Sequence, residues 1–282
     1  MKSNYKSGTK PVISVFPRVF SGVKTAAEQA EFLKKCGFTH GDLLIRKGFV
    51  VSEDTPEDDF EPVFEEFKKR GVTLYSAITD LKSASPEIEK ILKVCNKHNL
   101  RKIKIGPYSY KENFSETVKE ARKSLESLES LVPLSKKYDV MILVQNHGGT
   151  INSSPSLSRE LVDGLPLENV GIYFDAGNMM RMDGHEAWAM GLDIIGDYLE
   201  FVGIKNVHWF KKDGKWDRDF CPLRDGIIDF SEVLNALKKV GYHGDFAVHS
   251  FYVPDGSVHD EKTIEAVTDD LKYFKELLEK CL

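Results

Sequence analysis

Short apolar runs alternate with longer amphipathic stretches along this 282-residue chain, and no other feature limits its fold as strongly. We predict strands over residues 12–16, 42–45, 72–76, 102–105, 139–145, 170–175, 201–206 and 245–249. We predict helices over residues 26–36, 60–69, 86–96, from about 115 with a kink or break near Pro133, and over 155–162, 185–198, 230–240 and 262–281. Strict alternation implies a parallel sheet, and eight such units close into a single (β/α)8 TIM barrel. A doubly wound open sheet is the alternative.

The repeat of strand and helix continues from one end of the chain to the other. No linker, low-complexity tract or change in composition divides it. A length of this order fits one α/β barrel, so we predict one domain over residues 1–282.

Composition and charge exclude several classes of function. The net charge is -5 with a pI near 6.0, and no basic stripe is present, so we expect no nucleic-acid partner. The first ten residues are polar and lysine-rich, which argues against a signal peptide. The longest apolar runs, such as residues 140–144, are far too short to span a membrane. Four widely spaced cysteines predict free thiols and a cytoplasmic protein.

Polar residues collect at the ends of the predicted strands, where the binding sites of such barrels lie. Gln145 and His147 share one face at the end of strand five, Asp175 ends the apolar strand six, and His249 ends strand eight. Barrel closure would bring these side chains together. An imidazole suits proton transfer near neutral pH, which favours a catalytic His147 over the alternative of a capped loop histidine. A buried Asp175 needs a proton or a cation, and a helix N-cap is the plainer alternative.

Two further regions carry candidate binding residues. Arg46 follows strand two and could meet an anionic or hydroxyl-rich ligand, or simply be solvated. Residues 209–225 are predicted to form a long loop that contains Trp209, Arg224 and several other aromatic side chains. Loops of this length often serve as lids or binding walls. The aromatic rings could stack on a sugar ring or form an interface with a partner.

Five segments resemble a known family: 143–149 (LVQNHGG), 174–179 (FDAGNM), 203–206 (GIKN), 221–230 (CPLRDGIIDF) and 241–244 (GYHG). With them the chain resembles the sugar phosphate isomerase/epimerase family, whose members have xylose isomerase-like barrels. The resemblance covers nearly the whole chain and implies a divalent metal held by Glu, Asp, His and Glu from strands five to eight. At these four positions this chain has Gln145, Asp175, Gly203 and His249, so only the aspartate is kept.

The altered positions leave the metal cofactor open. An amide and an imidazole attract a hard cation less strongly than the two carboxylates they replace. Gln145, Asp175 and His249 would be the ligands, with His208 as a further candidate that needs a bulge to turn inward. Mn²⁺ is the expected metal, with Mg²⁺, Zn²⁺ or Fe²⁺ as alternatives. Loss of the metal is an equally open outcome.

The resemblance also implies enolisation of a keto sugar or polyol derivative. A base removes a proton next to a carbonyl, and positive charge stabilises the oxyanion that forms. His147 and Lys205 keep their family positions, so we assign His147 as the proton carrier and Lys205 as its electrostatic partner. Asn178 and Asn206 join Arg46, Trp209 and Arg224 as expected substrate-binding residues.

The same chemistry leaves several functions open. Isomerisation or epimerisation of a sugar is the first, and elimination from a 3-keto glycoside, C-glycosides included, is the alternative within enzymes. A degenerate barrel that binds a ligand or joins a complex without catalysis is the second class. An apurinic endonuclease is a remote third, since the chain has no basic groove. We expect a small sugar or glycoside as substrate and a homo-oligomer or hetero-complex as the assembly.

Overall fold

The computed structural model of the protein describes residues 10–20, 22–110, 116–181 and 188–281. Its strands are β1 (Ile13–Val15), β2 (His40–Ile45), β3 (Thr73–Thr79), β4 (Lys102–Lys104), β5 (Met141–Gln145), β6 (Val170–Asp175), β7 (Leu199–Ile204), β8 (Asn206–Lys212), β9 (Lys215–Cys221) and β10 (Asp245–Val248). Eight of them form one parallel sheet in the order β1-β10-β7-β6-β5-β4-β3-β2. With helices between the strands, this sheet is a nearly closed barrel, which confirms the predicted (β/α)8 fold.

Side-chain hydrogen bonds join the two strands at the ends of this order. Ser14 on β1 donates its hydroxyl to Asp42 Oδ2 on β2 at 2.9 Å. Ser76 on β3 donates to Asp42 Oδ1 at 2.8 Å. All three residues are buried. One carboxyl group therefore links three neighbouring strands at the place where the barrel closes.

The helices are α1 (Ala26–Lys35), α2 (Pro56–Lys69), α3 (Pro86–Lys97), α4 (Thr117–Tyr138), α5 (Pro155–Val162), α6 (Ala176–Arg181), α7 (Trp188–Ile195), α8 (Phe230–Lys239) and α9 (Glu261–Cys281). Short 3₁₀ turns cover Pro17–Phe20 and Gly196–Tyr198. Ser85 and Ser154 each accept a hydrogen bond from a backbone N–H of the first turn, and each is followed by proline, the residue that suits a first helical position. Within the described residues, no helix combines the length and apolar character of a membrane span.

Some helix boundaries differ from the sequence prediction. Helix α4 continues through Pro133 rather than breaking there, because Leu128, Leu131 and Ser135 hold buried contacts on both sides of the proline. Helix α2 begins at Pro56, a first-turn proline, four residues before the predicted start at 60. The predicted starts near residues 115 and 185 lie outside the described residues.

The predicted loop over residues 209–225 is largely an antiparallel hairpin formed by β8 and β9. Its turn is Asp213 and Gly214, whose φ angles are 52° and 76°. An Asp-Gly pair with positive φ at both residues is the turn that two-residue hairpins prefer. The sequence therefore contained a hairpin signal, and only the part from residue 222 to 229 is loop between β9 and α8.

Candidate active site

A cavity of about 250 Å³ opens at the C-terminal ends of the barrel strands. Its polar lining includes residues at or just after the ends of five different strands: Arg46, Lys104, Gln145, His147, Lys205 and His249. The volume is slightly below the range of about 300–1,000 Å³ found for drug-sized ligands, so it suits a molecule as small as a monosaccharide.

Asp175 is fully buried directly behind this lining and has a partner for each carboxylate oxygen. Oδ2 lies 2.9 Å from Lys205 Nζ and accepts a hydrogen bond from Gln145 Nε2 at 2.6 Å. Oδ1 accepts the backbone N–H of Asn178 at 2.8 Å, which is a helix-capping bond at the start of α6. Asp175 is thus both a cap and the anion of a buried ion pair.

Lys205 is a buried ammonium group in the short segment between β7 and β8. Besides Asp175, its Nζ donates to Asn178 Oδ1 at 2.8 Å. The ammonium also lies 5.0 Å from the centre of the Phe251 ring, within range of a cation–π interaction. The Lys205 backbone and side chain pass so close to Gly177 that a Cβ there would lie 2.8 Å from Lys205 O. Gly177 therefore lets the lysine cross α6 to reach the aspartate.

His147 has the protonation that a general base requires. Its Nδ1 lies 2.8 Å from the carbonyl oxygen of Gly148. A carbonyl only accepts, so Nδ1 carries the hydrogen and Nε2 keeps its lone pair. Burial, with smaller contributions from Lys205 and Lys104, lowers the pKa of His147 below its usual value. The imidazole is therefore neutral near pH 7 and can take up a proton.

The loop that carries His147 is fixed by two polar side chains. Thr150 Oγ1 donates to the His147 carbonyl oxygen at 2.5 Å, and Asn152 Nδ2 donates to the Gln145 carbonyl at 2.9 Å. Asn152 also lines the cavity. These hydrogen bonds hold the imidazole at the cavity wall.

His249 is buried at the floor of the cavity between aromatic rings. Its ring centre is 4.3 Å from that of Phe16 and 5.1 Å from that of Phe251. Its Nε2 pairs with the Tyr173 hydroxyl at 2.6 Å, while Nδ1 is 3.9 Å from Asp175 Oδ2 and has no hydrogen-bond partner among the described atoms. Burial, and then Lys205, hold the pKa of His249 well below its usual value, so the ring is neutral.

Besides Asp175, five of the residues predicted from the sequence are not part of the cavity lining: His208, Trp209, Arg224, Asn206 and Asn178. The His208 ring lies 5.3 Å from that of Phe210 on the hairpin. Strand β8 pairs with β9 in a continuous register, so it lacks the bulge that His208 needed to join the metal ligands. Trp209 donates its Nε1 hydrogen to the Met180 carbonyl at 3.2 Å. Arg224 is exposed and stacks 4.8 Å from the Tyr273 ring centre.

Asn206, the fourth of these residues, fastens the start of the hairpin to the segment that runs from β9 to α8. Its Nδ2 donates to the carbonyls of Leu223 and Ile228, and its Oδ1 accepts from the N–H groups of Val207 and Ile228. All of its polar capacity is used within the chain. Asn178 is likewise occupied by Lys205 and by the Asn146 carbonyl.

Lys104 and Asp80 line the cavity but were not found from the sequence. Lys102 and Lys104 alternate with Ile103 in β4, so both lysines lie on the barrel face of the strand. Two lysines at alternate positions of an apolar strand were the signal that could have identified Lys104. Asp80 follows β3 and pairs with Arg46 at 2.7 Å.

A model of the xylose isomerase-like TIM barrel family matches residues 30–277 of this sequence. This chain belongs to the xylose isomerase-like TIM barrel family. A curated relative, an uncharacterized protein of Methanocaldococcus jannaschii, is 27% identical over 135 residues. That match covers 47% of this chain and 44% of the relative, so the chain spans less than half of that protein's length.

Solved structures of the xylose isomerase-like type share the fold at low sequence identity. A family protein of Mycobacterium smegmatis in complex with magnesium has a TM-score of 0.72 and 14% identity, covering 97% of this chain and 99% of the other. D-Psicose 3-epimerase of Clostridium cellulolyticum H10 with D-tagatose has a TM-score of 0.69 and 16% identity, and the match covers 95% of this chain and 99% of the other. IOLI protein with a bound zinc atom has a TM-score of 0.70 and 15% identity, and the match covers 96% of this chain and 99% of the other. Divalent metals therefore occur in structures of this fold.

The donor set of this family member does not fit such a metal. Of the four family ligand positions, only Asp175 has a carboxylate, and its Oδ2 already bonds to the Lys205 ammonium and the Gln145 amide. Gly203 offers no room for a ligand side chain, because a Cβ there would lie 2.9 Å from Tyr173 Cε2 and 3.1 Å from Asp175 Oδ2. Among the described residues, no three His, Cys, Asp or Glu side chains form a metal-binding group. The Lys205 ammonium already supplies a positive charge to the Asp175 carboxylate.

Proposed function

We propose that this protein is an isomerase or epimerase that moves a proton next to the carbonyl of a small keto sugar or polyol derivative. The observation that carries the proposal is the neutral His147, whose Nε2 lone pair belongs to the same cavity as the Lys205 ammonium. The family and the sugar-epimerase structures of similar fold support a substrate of this class.

In this proposal, His147 removes the proton from the carbon beside the carbonyl and later returns it. Negative charge then develops on the carbonyl oxygen, and the Lys205 ammonium is the nearby positive charge that favours it. Asp175 and Asn178 hold Lys205 in its charged state and fix its position. Return of the proton to the other face gives an epimer, and return to the neighbouring carbon gives an isomer.

We propose that the reaction uses Lys205 in place of a divalent metal. Two solved structures of similar fold contain magnesium or zinc, and from the sequence Mn²⁺ was the expected metal if one is bound. In this chain, however, Asp175 Oδ2 already bonds to Lys205 and Gln145. Activity that resists EDTA, in protein shown by elemental analysis to contain substoichiometric metal, is the expected result. Stoichiometric metal whose removal abolishes activity would contradict this part of the proposal.

The test of the function is proton exchange in deuterated water. Wild-type protein is incubated with D-fructose, D-psicose and D-tagatose, and loss of the proton next to the carbonyl is followed by NMR. His147→Gln should slow exchange about 10²–10⁴-fold, the usual contribution of a general base. His243→Gln is the matched control, because His243 is exposed and lies outside the cavity lining.

Two results would argue against the function. Exchange at the wild-type rate in His147→Gln would remove His147 from the mechanism. Absence of exchange and of turnover with every ketose and 3-keto glycoside offered would favour the non-catalytic alternative, a barrel that only binds its ligand.

We also propose that residues 1–282 form one domain and that the protein works in a reducing cytoplasm. The support for the location is that Cys36, Cys95, Cys221 and Cys281 are all free thiols.

A further inference from the structure

Lys104 is a buried amine in the cavity to which the proposed reaction gives no task. It is the last residue of β4, is 8% exposed, and lines the same cavity as His147 and Lys205. In the described structure its Nζ makes a single long hydrogen bond, to the Ile105 carbonyl at 3.4 Å. A desolvated ammonium is unfavourable without a carboxylate partner, so the surrounding charges decide whether Lys104 keeps its proton.

The carboxylates near the cavity are already engaged by other cations. Asp80 pairs with Arg46 at 2.7 Å, and Asp175 pairs with Lys205 at 2.9 Å. Both cations act on Lys104, with partial compensation from the two carboxylates. Burial, followed by the charges of Arg46 and Lys205, lowers the pKa of Lys104 to about 8. A substantial share of Lys104 is therefore the free amine at slightly alkaline pH.

The two cavity lysines are thus differentiated by their environments. Lys205 is fixed as a cation by Asp175 and Asn178. Lys104 has no carboxylate within ion-pair distance among the described residues, and it faces the cavity near two positive charges. A lysine that is desolvated and close to other cations is one of the ways in which proteins prepare an amine nucleophile.

We propose that Lys104 Nζ forms a Schiff base with the carbonyl carbon of the substrate. The amine lone pair forms the C–N bond while the C=O π electrons move to oxygen, which takes up a proton. One nitrogen proton of this carbinolamine passes to the hydroxyl, which leaves as water, and the lone pair that remains on nitrogen forms the protonated iminium. Hydrolysis by one water at the end of the cycle restores the ketone and the free amine, so no oxidant or further reactant is needed.

The iminium deepens the proposed function and rests on it, since it assumes a ketone substrate and His147 as base. Removal of the neighbouring proton by His147 would then give an enamine, with the electron pair drawn to the iminium nitrogen. No oxyanion forms in this refined route, so Lys205 would keep Asp175 neutralised and suppress protonation of Lys104 instead of stabilising the carbonyl oxygen. This assignment explains how enolisation can proceed where the carboxylates of a metal site are missing.

Reductive trapping tests the proposal directly. The full-length protein is incubated with dihydroxyacetone or D-fructose and sodium cyanoborohydride, and the modified residue is mapped by peptide mass spectrometry. We expect one stable adduct on Lys104, formed well before any adduct on the exposed Lys93. Wild-type protein without an adduct on Lys104 would overturn the proposal, whether or not proton exchange occurs. An adduct on Lys104 without any proton exchange would leave the Schiff base in place and contradict the proposed function alone.

Lys104→Arg tests whether Lys104 acts as a nucleophile or only as a positive charge. Arginine keeps the charge but forms no iminium, so proton exchange should fall to the background level, while Lys93→Arg should exchange at the wild-type rate. Near wild-type exchange in Lys104→Arg, together with inhibition by inorganic phosphate, would show that Lys104 only binds an anionic group and would overturn the proposal. If the longer side chain prevents folding, Lys104→Met takes its place, with thermal unfolding as the check.

Discussion

Asp175 and Lys205 balance each other's charge next to the cavity. Both side chains are at most 3% exposed, and their charged atoms are 2.9 Å apart. A buried carboxylate that lacks a cation is strongly unfavourable, so each residue depends on the other. Gln145 and Asn178 then complete the hydrogen bonds of the pair.

Removal of the lysine should therefore destabilise the protein more than removal of both charges. We expect Lys205→Met to lower the free energy of unfolding by about 3–5 kcal/mol, because Asp175 is left buried and unpaired. The double variant Lys205→Met/Asp175→Asn should recover a large part of this loss. Urea denaturation of the four proteins in a double-mutant cycle measures the coupling.

The control for this cycle is the surface pair of Lys93 and Glu57. Their charged atoms are 2.6 Å apart, but both side chains are largely solvated, so Lys93→Met should leave the denaturation midpoint unchanged. Strict additivity of the two buried substitutions would show that Lys205 and Asp175 do not depend on each other.

At the scale of elements, Asn206 attaches the start of the β8–β9 hairpin to the segment that follows β9. Asn206 is 1% exposed and bonds to the return segment between β9 and α8 at both Leu223 and Ile228. Gly226 packs against its side chain so closely that an added Cβ would collide with it. The asparagine that the sequence suggested for substrate binding is therefore an anchor for the hairpin.

Asn206→Ala should weaken this attachment. Buried carbonyl and N–H groups lose their partners, and we expect a loss of about 2–4 kcal/mol in the free energy of unfolding. Thermal unfolding and limited proteolysis of residues 206–229 provide the measurements. Asn235→Ala on the exposed face of α8 is the control and should change neither. An unchanged melting temperature in Asn206→Ala would contradict the anchoring role.

At the scale of the whole molecule, the barrel closes around a carboxyl group. Burial raises the pKa of Asp42 to about 7, against the opposing effect of its hydrogen bonds from Ser76 and Ser14. The ordinary value in an unfolded chain is about 3.9. Between these two values the folded protein holds a proton that the unfolded chain has released, so unfolding releases a proton.

The stabilising contribution of protonated Asp42 is therefore complete below about pH 4 and is lost as the pH rises through about 7. Asp42→Asn should remove this decline, which amounts to about 3–4 kcal/mol at most. Unfolding free energies of both proteins between pH 4 and 8 provide the comparison. Asp58→Asn, on the exposed face of α2, should keep the wild-type pH dependence. Parallel pH profiles for wild type and Asp42→Asn would contradict the assignment.

The barrel itself could be predicted because its evidence is local. Apolar runs of strand length and helices with proline at the first turn, such as α3 and α5, are readable within a few residues. Of the kink or break predicted at Pro133, the break was wrong, because contacts distant in the sequence decided the outcome. Helix α4 continues through Pro133 because its buried face holds it against the barrel, and no local pattern contains that information.

The sequence by itself determined the alternating order of strands and helices, and hence which residues stand at strand ends. Only the tertiary structure decided which of them meet: Gln145, Asp175 and Lys205 are separated by 30 residues at each step and come together through barrel closure. It also decided their electrostatic environments, because Lys205 pairs with a buried carboxylate whereas burial and nearby cations lower the pKa of Lys104 to about 8. Charge in a protein interior depends on distance to other charges and on access to water, and neither quantity exists until the chain has folded.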